Sequence, residues 1–155
     1  DSVLTMDADF SHDPNTIPRL IDALQNGADV VVGSRYVPGG SIVGWPIHRH
    51  VLSKYGNFYT RFVLGLSPRD CTSGFRGYRA TTLSSIDLSS IKGDGYVFLT
   101  SILRRIQQQG LTIAEVPITF TDRVDGQSKM SPRIVAESML LVTLFGLKDL
   151  VKRRR

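Results

Sequence analysis

The chain has 155 residues, 41% of them hydrophobic and 21% charged, which suits one ordinary domain with its own core and excludes a disordered segment. A single cysteine, Cys71, excludes an internal disulfide, fits a reducing compartment and reads as a small buried hydrophobe. The net charge of +5, part of it in Lys152-Arg153-Arg154-Arg155, narrows the partners to nucleic acid, an anionic membrane surface or a phosphorylated substrate.

In chain order, residues 3–6 read as a short apolar strand. Asp13-Pro14 supplies an N-cap and a first-turn proline for a helix to about Asn26, with Ile17, Leu20, Ile21 and Leu24 on one face and Gly27 as its stop. Residues 29–33 form a buried-type strand, and this βαβ unit predicts a parallel sheet. Residues 34–45 read as a loop around Pro38-Gly39-Gly40. A second helix is expected over 46–64, with Val51 and Tyr55 on its core face. Residues 70–79 read as irregular, polar and Gly-rich. A helix over 96–109 ends at Gly110, and a strand over 112–120 contains Pro117, which favours an edge or a bulge. A polar loop over 121–131 leads to a last helix over 132–151. The longest greasy run, 139–147, is broken by Thr143 and Gly146 and is too short to span a bilayer. The sequence opens inside a strand without an initiator methionine and reads as a fragment whose N-terminal part is missing.

Asp7-Ala8-Asp9 follows the first strand directly. Side chains two apart on extended chain point the same way, and paired carboxylates at a strand's C-terminal end call for a cation. Hard oxygen ligands select Mg²⁺ or Mn²⁺, which would neutralise a departing diphosphate. The same aspartates equally suit a turn before a helix, and His12 reads as a solvated loop histidine rather than a further ligand.

Arg35 lies just past the second strand, at the same sheet edge as the aspartates. Arg49 and Ser53 are four apart and share a helix face, while Arg123 and Lys129 lie in the Gly126-containing loop. Arginine forks grip phosphate through paired hydrogen bonds, and lysine adds a point charge. Each cation taken singly is an ordinary surface residue; together they suit two phosphates brought beside a metal. The last helix carries Ile134, Val135, Met139, Leu141, Val142, Leu144, Phe145, Leu147, Leu150 and Val151 ahead of its basic run. It reads either as an interfacial helix against anionic lipid or as a core or oligomer helix.

Taken together, the segments Met6-Asp7-Ala8-Asp9-Phe10-Ser11-His12-Asp13-Pro14, Gly33-Ser34-Arg35-Tyr36, Asp70-Cys71-Thr72-Ser73-Gly74-Phe75-Arg76 and Gly126-Gln127-Ser128-Lys129-Met130-Ser131 resemble the dolichol-phosphate and polyprenol-phosphate mannose synthases of glycosyltransferase family 2. The bacterial polyprenol-phosphate enzymes are the nearest in pattern. The resemblance implies the α/β GT-A fold, a Rossmann-like, mostly parallel sheet flanked by helices. Residues 1–131 would be its C-terminal portion and 132–155 an amphipathic helix with a basic tail. It implies inverting transfer of mannose from GDP-mannose to a polyprenyl phosphate, at the cytoplasmic face of a membrane, with peripheral contact to the bilayer or a membrane-embedded partner. Asp7, Asp9 and Ser11 would hold Mg²⁺ or Mn²⁺. Arg35, Arg49, Ser53, Arg123 and Lys129 would bind the lipid phosphate, with Asp9, Arg35 and Arg123 central to catalysis and Asp7, Asp9 and Lys129 facing the donor. Three departures stand out. The nucleotide-binding segment expected before Asp1 is absent, so this chain alone is expected to be inactive. Leu99-Thr100-Ser101 replaces the family's Gln-x-Glu, and Gln127 stands where glutamate is common. A related transferase using another sugar, such as glucose, and a non-catalytic lipid-phosphate binder are the competing readings. Nucleic-acid binding rests on charge alone, with no recognised module or stacking platform behind it.

Overall fold

The computed structural model describes residues 1–91, 95–122 and 132–153. The elements are β1 (Ser2–Thr5), α1 (Ile17–Gln25), β2 (Val30–Ser34), β3 (Ser41–Val43), α2 (Ile47–Leu64), β4 (Arg76–Arg79), α3 (Ala80–Ser85), α4 (Gly95–Gln108), β5 (Ile113–Pro117), β6 (Thr119–Thr121) and α5 (Pro132–Arg153). Asp13 accepts a hydrogen bond from Asn15 N at 2.9 Å, but Pro14 opens a single 3₁₀ turn, and α1 proper begins three residues later.

The main sheet has the order β1-β4-β2-β5. β1, β2 and β5 run in one direction, and β4 is inserted antiparallel between β1 and β2. The α/β architecture is as expected, whereas the 70–79 stretch read as irregular ends in this central strand. The reason is compositional: Arg76-Gly77-Tyr78-Arg79 shows no apolar alternation. Arg76 is nevertheless fully buried, because its guanidinium donates to the carbonyls of Cys71, Ser73 and Leu99 at 2.7–2.8 Å. Gly77 faces Leu24, whose Cδ1 would lie 3.0 Å from an added Cβ, so a side chain there would press on the Leu24 side chain of α1.

The single strand expected over 112–120 is two strands. Pro117 closes β5 on the sheet's outer edge, and the chain turns there to pair β6 with β3 in a separate parallel ladder. The loop expected over 34–45 therefore contains β3.

Two apolar clusters sandwich the main sheet. Leu20 and Leu24 of α1 pack with Val31, Phe75 and Val116 on one face. Val30, Val32, Ile102, Leu103, Ile106 and Val142 pack on the other, so α5 belongs to the same core as the sheet. α2 lies against α5 at close range: a Cβ on Gly146 would fall 2.5 Å from Val63 Cγ1, and the Tyr59 and Thr143 hydroxyls are 2.7 Å apart.

The α2 face is the reverse of the expectation. Ser53, Asn57, Thr60 and Leu64 are buried, while Ile47, Val51, Tyr55, Phe58 and Phe62 form an exposed stripe at helical spacing. Leu140, Leu144, Leu147 and Val151 form a second exposed stripe on α5. No described helix is long and apolar enough to cross a membrane.

Candidate functional site

β1 delivers Asp7 to the C-terminal edge of the sheet. The Thr5 hydroxyl donates to the Gly74 carbonyl at 2.8 Å and ties that edge to the 70–76 loop. Gly74 has no side chain because the Asp7 carboxylate takes the space: Oδ1 would lie 3.2 Å from an added Cβ. The chain then turns sharply through Phe10, the one described non-glycine residue with positive φ (59°). That turn brings Ser11 back onto Asp9, whose Oδ1 accepts the Ser11 hydroxyl at 2.5 Å and the Ser11 amide at 3.1 Å. Ser11 is buried, so its hydroxyl orients Asp9 in this geometry.

His12 is not the solvated loop histidine expected from the sequence: it is buried between Phe75 and Phe120, whose rings pack against it. Its Nε2 lies 3.5 Å from Asp7 Oδ2, and neither ring nitrogen has a hydrogen-bond partner among the described residues.

Arg35 leaves the end of β2 and meets Asp70 in a two-pronged pair, Nε to Oδ2 and Nη2 to Oδ1, both at 2.7 Å. The Arg35 amide adds a third bond to Oδ2 at 3.0 Å, and Nη2 also donates to Thr72 Oγ1 at 2.9 Å. Burial alone would push the Asp70 carboxyl up; the charge and hydrogen bonds of Arg35 outweigh it and hold the carboxyl below the usual range. Burial works against the Arg35 charge too, and Asp70 overcomes it, so the guanidinium is held more firmly protonated than usual. Much of Arg35 is thus spent on a buried ion pair, with Nη1 left without an acceptor among the described residues. Cys71, next along, has its thiol pushed up to about 12 by burial, which fits an inert packing residue.

Arg49 sits in the first turn of α2. Its Nη1 donates to Asp122 Oδ1 at 2.9 Å, and its guanidinium stacks 4.1 Å from the Trp45 ring centre. Arg49 Nε and Trp45 Nε1 are buried donors with no acceptor among the described residues. Ser53, one turn on, accepts the Tyr36 hydroxyl at 2.7 Å. Arg123 and Lys129 lie outside the described residues; the chain reaches them from Asp122, beside Arg49.

Some of these parts share one cleft, whereas Asp9, Ser11 and Asp70 are not among its lining residues. A small polar cavity is walled by Asp7, His12, Arg35, Trp45, Arg49 and Thr72, among others. It shares Thr72 and Tyr96 with a small apolar cavity between α2, α4 and α5, lined by Leu52, Ser53, Val97, Val135, Met139 and Val142 among others. Asp7, Arg35 and Arg49 therefore face one space, whereas Ser53 faces the apolar one. Asp70 and Thr72 carry no sequence signal as site residues beyond their place in a resembling segment, because their roles depend on Arg35 and Asn57, 15 or more residues away, and Trp45 and Tyr96 lie outside those segments altogether.

The described residues contain no cluster of three or more His, Cys, Asp or Glu able to hold a metal alone. A carboxylate pair suits the other kind of Mg²⁺ or Mn²⁺ site, in which one or two side chains act with substrate phosphate and water. The unpartnered His12 nitrogen beside Asp7 is consistent with a further polar group arriving there.

The family model described as Glycosyl transferase family 2 matches residues 1–86, which include the acidic turn, Arg35, Arg49 and the Asp70 loop. The chain is 46% identical over 153 residues (99% of its length, 58% of the relative's) to the polyprenol monophosphomannose synthase of Mycolicibacterium smegmatis. It is 48% identical over 147 residues (95% of its length, 60% of the relative's) to the undecaprenyl-phosphate mannosyltransferase of Micrococcus luteus. The chain thus spans 58–60% of the length of these curated relatives. With its acidic turn and buried Arg35–Asp70 pair inside the matched segment, the chain belongs to glycosyl transferase family 2.

Proposed function

We propose that the protein carrying this chain transfers mannose, with inversion, from GDP-mannose to a polyprenyl phosphate at a membrane surface. The observation that carries the reading is a polar cavity lined by Arg49 and Trp45, whose buried Nε and Nε1 donors have no acceptor among the described residues, next to an apolar cavity with which it shares Thr72 and Tyr96. That pairing suits an amphiphile with an anionic head. The names of the two relatives, a polyprenol monophosphomannose synthase and an undecaprenyl-phosphate mannosyltransferase, support the same reading.

In the reaction an acceptor phosphate oxygen bonds to the anomeric carbon as the bond from that carbon to the GDP diphosphate breaks, and the electron pair leaves with GDP. A phosphate monoester is already largely ionised near neutral pH, so no general base is required. Arg49 and Trp45 would seat the acceptor phosphate, with Arg35 Nη1, Arg123 and Lys129 as further donors toward the two phosphorylated substrates. Asp7 and Asp9 would hold Mg²⁺ or Mn²⁺ against the donor diphosphate, with Ser11 fixing Asp9. The bound cation would neutralise charge building on the leaving group. The chain's part is alignment and electrostatic complementarity.

Exposed apolar stripes on adjoining helices support membrane contact. α2 carries no acidic residue, and Lys54, Arg61 and Lys148 are exposed on the same two helices. An apolar, basic surface suits the anionic cytoplasmic leaflet.

The test is transfer of labelled mannose into organic-extractable lipid by the full-length protein, with Mg²⁺ or Mn²⁺, against a chelated control and against UDP-glucose as donor. The reading expects metal-dependent transfer from GDP-mannose that Asp9→Ala abolishes. Preference for another donor would move the reading to a different sugar; lipid-phosphate binding without any transfer would leave a non-catalytic relative.

A further inference from the structure

Thr72 stands in the wall shared by the two cavities. Its hydroxyl oxygen accepts two hydrogen bonds, from Arg35 Nη2 at 2.9 Å and from Asn57 Nδ2 at 3.1 Å. Guanidinium and amide N–H groups only donate. The Asn57 amide is fixed in this sense from its other side as well: its oxygen accepts the Cys71 amide at 2.7 Å, and its nitrogen also donates to the Ser53 carbonyl at 2.9 Å. Both lone pairs of Thr72 Oγ1 are therefore engaged, and the hydroxyl is left to act as a hydrogen-bond donor.

Among the described residues its one acceptor is Asp70 Oδ1, at 3.4 Å. That is beyond the range of a good O–H···O bond. The same oxygen already takes Arg35 Nη2 at 2.7 Å. Two donors pulling on the oxygen also make its O–H a stronger donor. The hydroxyl is thus a polarised donor, weakly used by the protein and bordering the cleft.

We infer that Thr72 donates its hydroxyl hydrogen to the acceptor phosphate at the point where the polar head gives way to the apolar chain. Arg35 and Asn57 hold it in the donating orientation. This deepens the proposed function and rests on its reading of the acceptor. No proton is transferred: the bond is a hydrogen bond to a phosphate oxygen that is anionic throughout. Asn57, buried on α2, joins the helix bearing Arg49 to the loop bearing Asp70, and so sets the distance between two parts of the acceptor site.

The experiment compares Thr72→Val, which keeps shape and loses the hydroxyl, with Thr72→Ser, which keeps the hydroxyl, in the full-length protein. Loss of one bond to a charged group should raise KM for polyprenyl phosphate about tenfold in Thr72→Val, with donor KM changed less than about twofold. Thr72→Ser should behave as wild type. An unchanged acceptor KM in Thr72→Val would overturn the inference. So would equal impairment in Thr72→Ser, or donor and acceptor KM rising together with a lowered Tm. Binding of farnesyl phosphate, followed by ³¹P NMR without donor, separates the two levels. Binding that weakens in Thr72→Val, alongside a wild type that transfers nothing, would reject the transferase reading and keep the Thr72 contact. No binding by the wild type would reject both.

Discussion

Replacing Asp70 by alanine isolates the contribution of the ion pair under the cleft. The Asp70 side chain is fully buried and that of Arg35 is 7% exposed, so solvent screens the pair little. The substitution removes three hydrogen bonds to Arg35 and leaves a buried guanidinium without its counter-charge. Breaking a buried pair from one side costs about 3–5 kcal/mol, which for a chain of this size lowers Tm by about 6–20 °C. Urea denaturation read by circular dichroism gives the free energy directly. The double variant Arg35→Met/Asp70→Leu should recover much of the loss, because it leaves no unpaired charge. The pH dependence has a defined sign. Asp70 is held below the usual carboxylate range in the folded state, so its stabilisation is fully present above that range and is lost as pH falls through its lowered value. The gap between wild type and Asp70→Ala should therefore be constant near neutrality and close only in acid. A loss below about 1 kcal/mol at pH 7, or a gap that widens in acid, would refute the reasoning.

Other variants probe the remaining supports. Gly146→Ala places a methyl group 2.5 Å from Val63 Cγ1 and 3.0 Å from the Val63 carbonyl, and should cost about 1–3 kcal/mol by forcing α2 from α5, measured by urea midpoint. Phe58→Ser with Leu144→Ser, both on exposed stripes, should alter stability by less than about 1 kcal/mol while reducing co-sedimentation with phosphatidylserine vesicles. Unchanged vesicle binding would remove the membrane role from these helices.

How far the sequence reaches differs from element to element. α1 and β2 are legible because apolar period and stop signals agree, as at Leu20, Leu24 and Gly27. β4 is not, since Arg76 is buried through three carbonyls rather than by apolarity, and nothing local announces those acceptors. The α2 stripe is legible as a stripe, but its direction is not: periodicity finds Val51 and Tyr55 on one face without saying whether that face meets the core. Here the inward face carries Ser53 and Asn57, whose polar groups are satisfied by Tyr36, Cys71 and Thr72. In the site, Asp7, Arg35 and Arg49 are readable from their positions after strands and on a helix. The partner of Arg35 is not, because Asp70 lies 35 residues away and is brought close by a strand the composition hides.

The central claim is that the cleft beside Arg49 receives the phosphate of a lipid acceptor. Steady-state kinetics of Arg49→Ala in the full-length protein test it most directly, with polyprenyl phosphate and GDP-mannose varied in turn. Loss of a charge-assisted contact predicts an acceptor KM raised about tenfold or more with donor KM nearly unchanged. An unchanged acceptor KM, or a defect confined to the donor, would contradict the account.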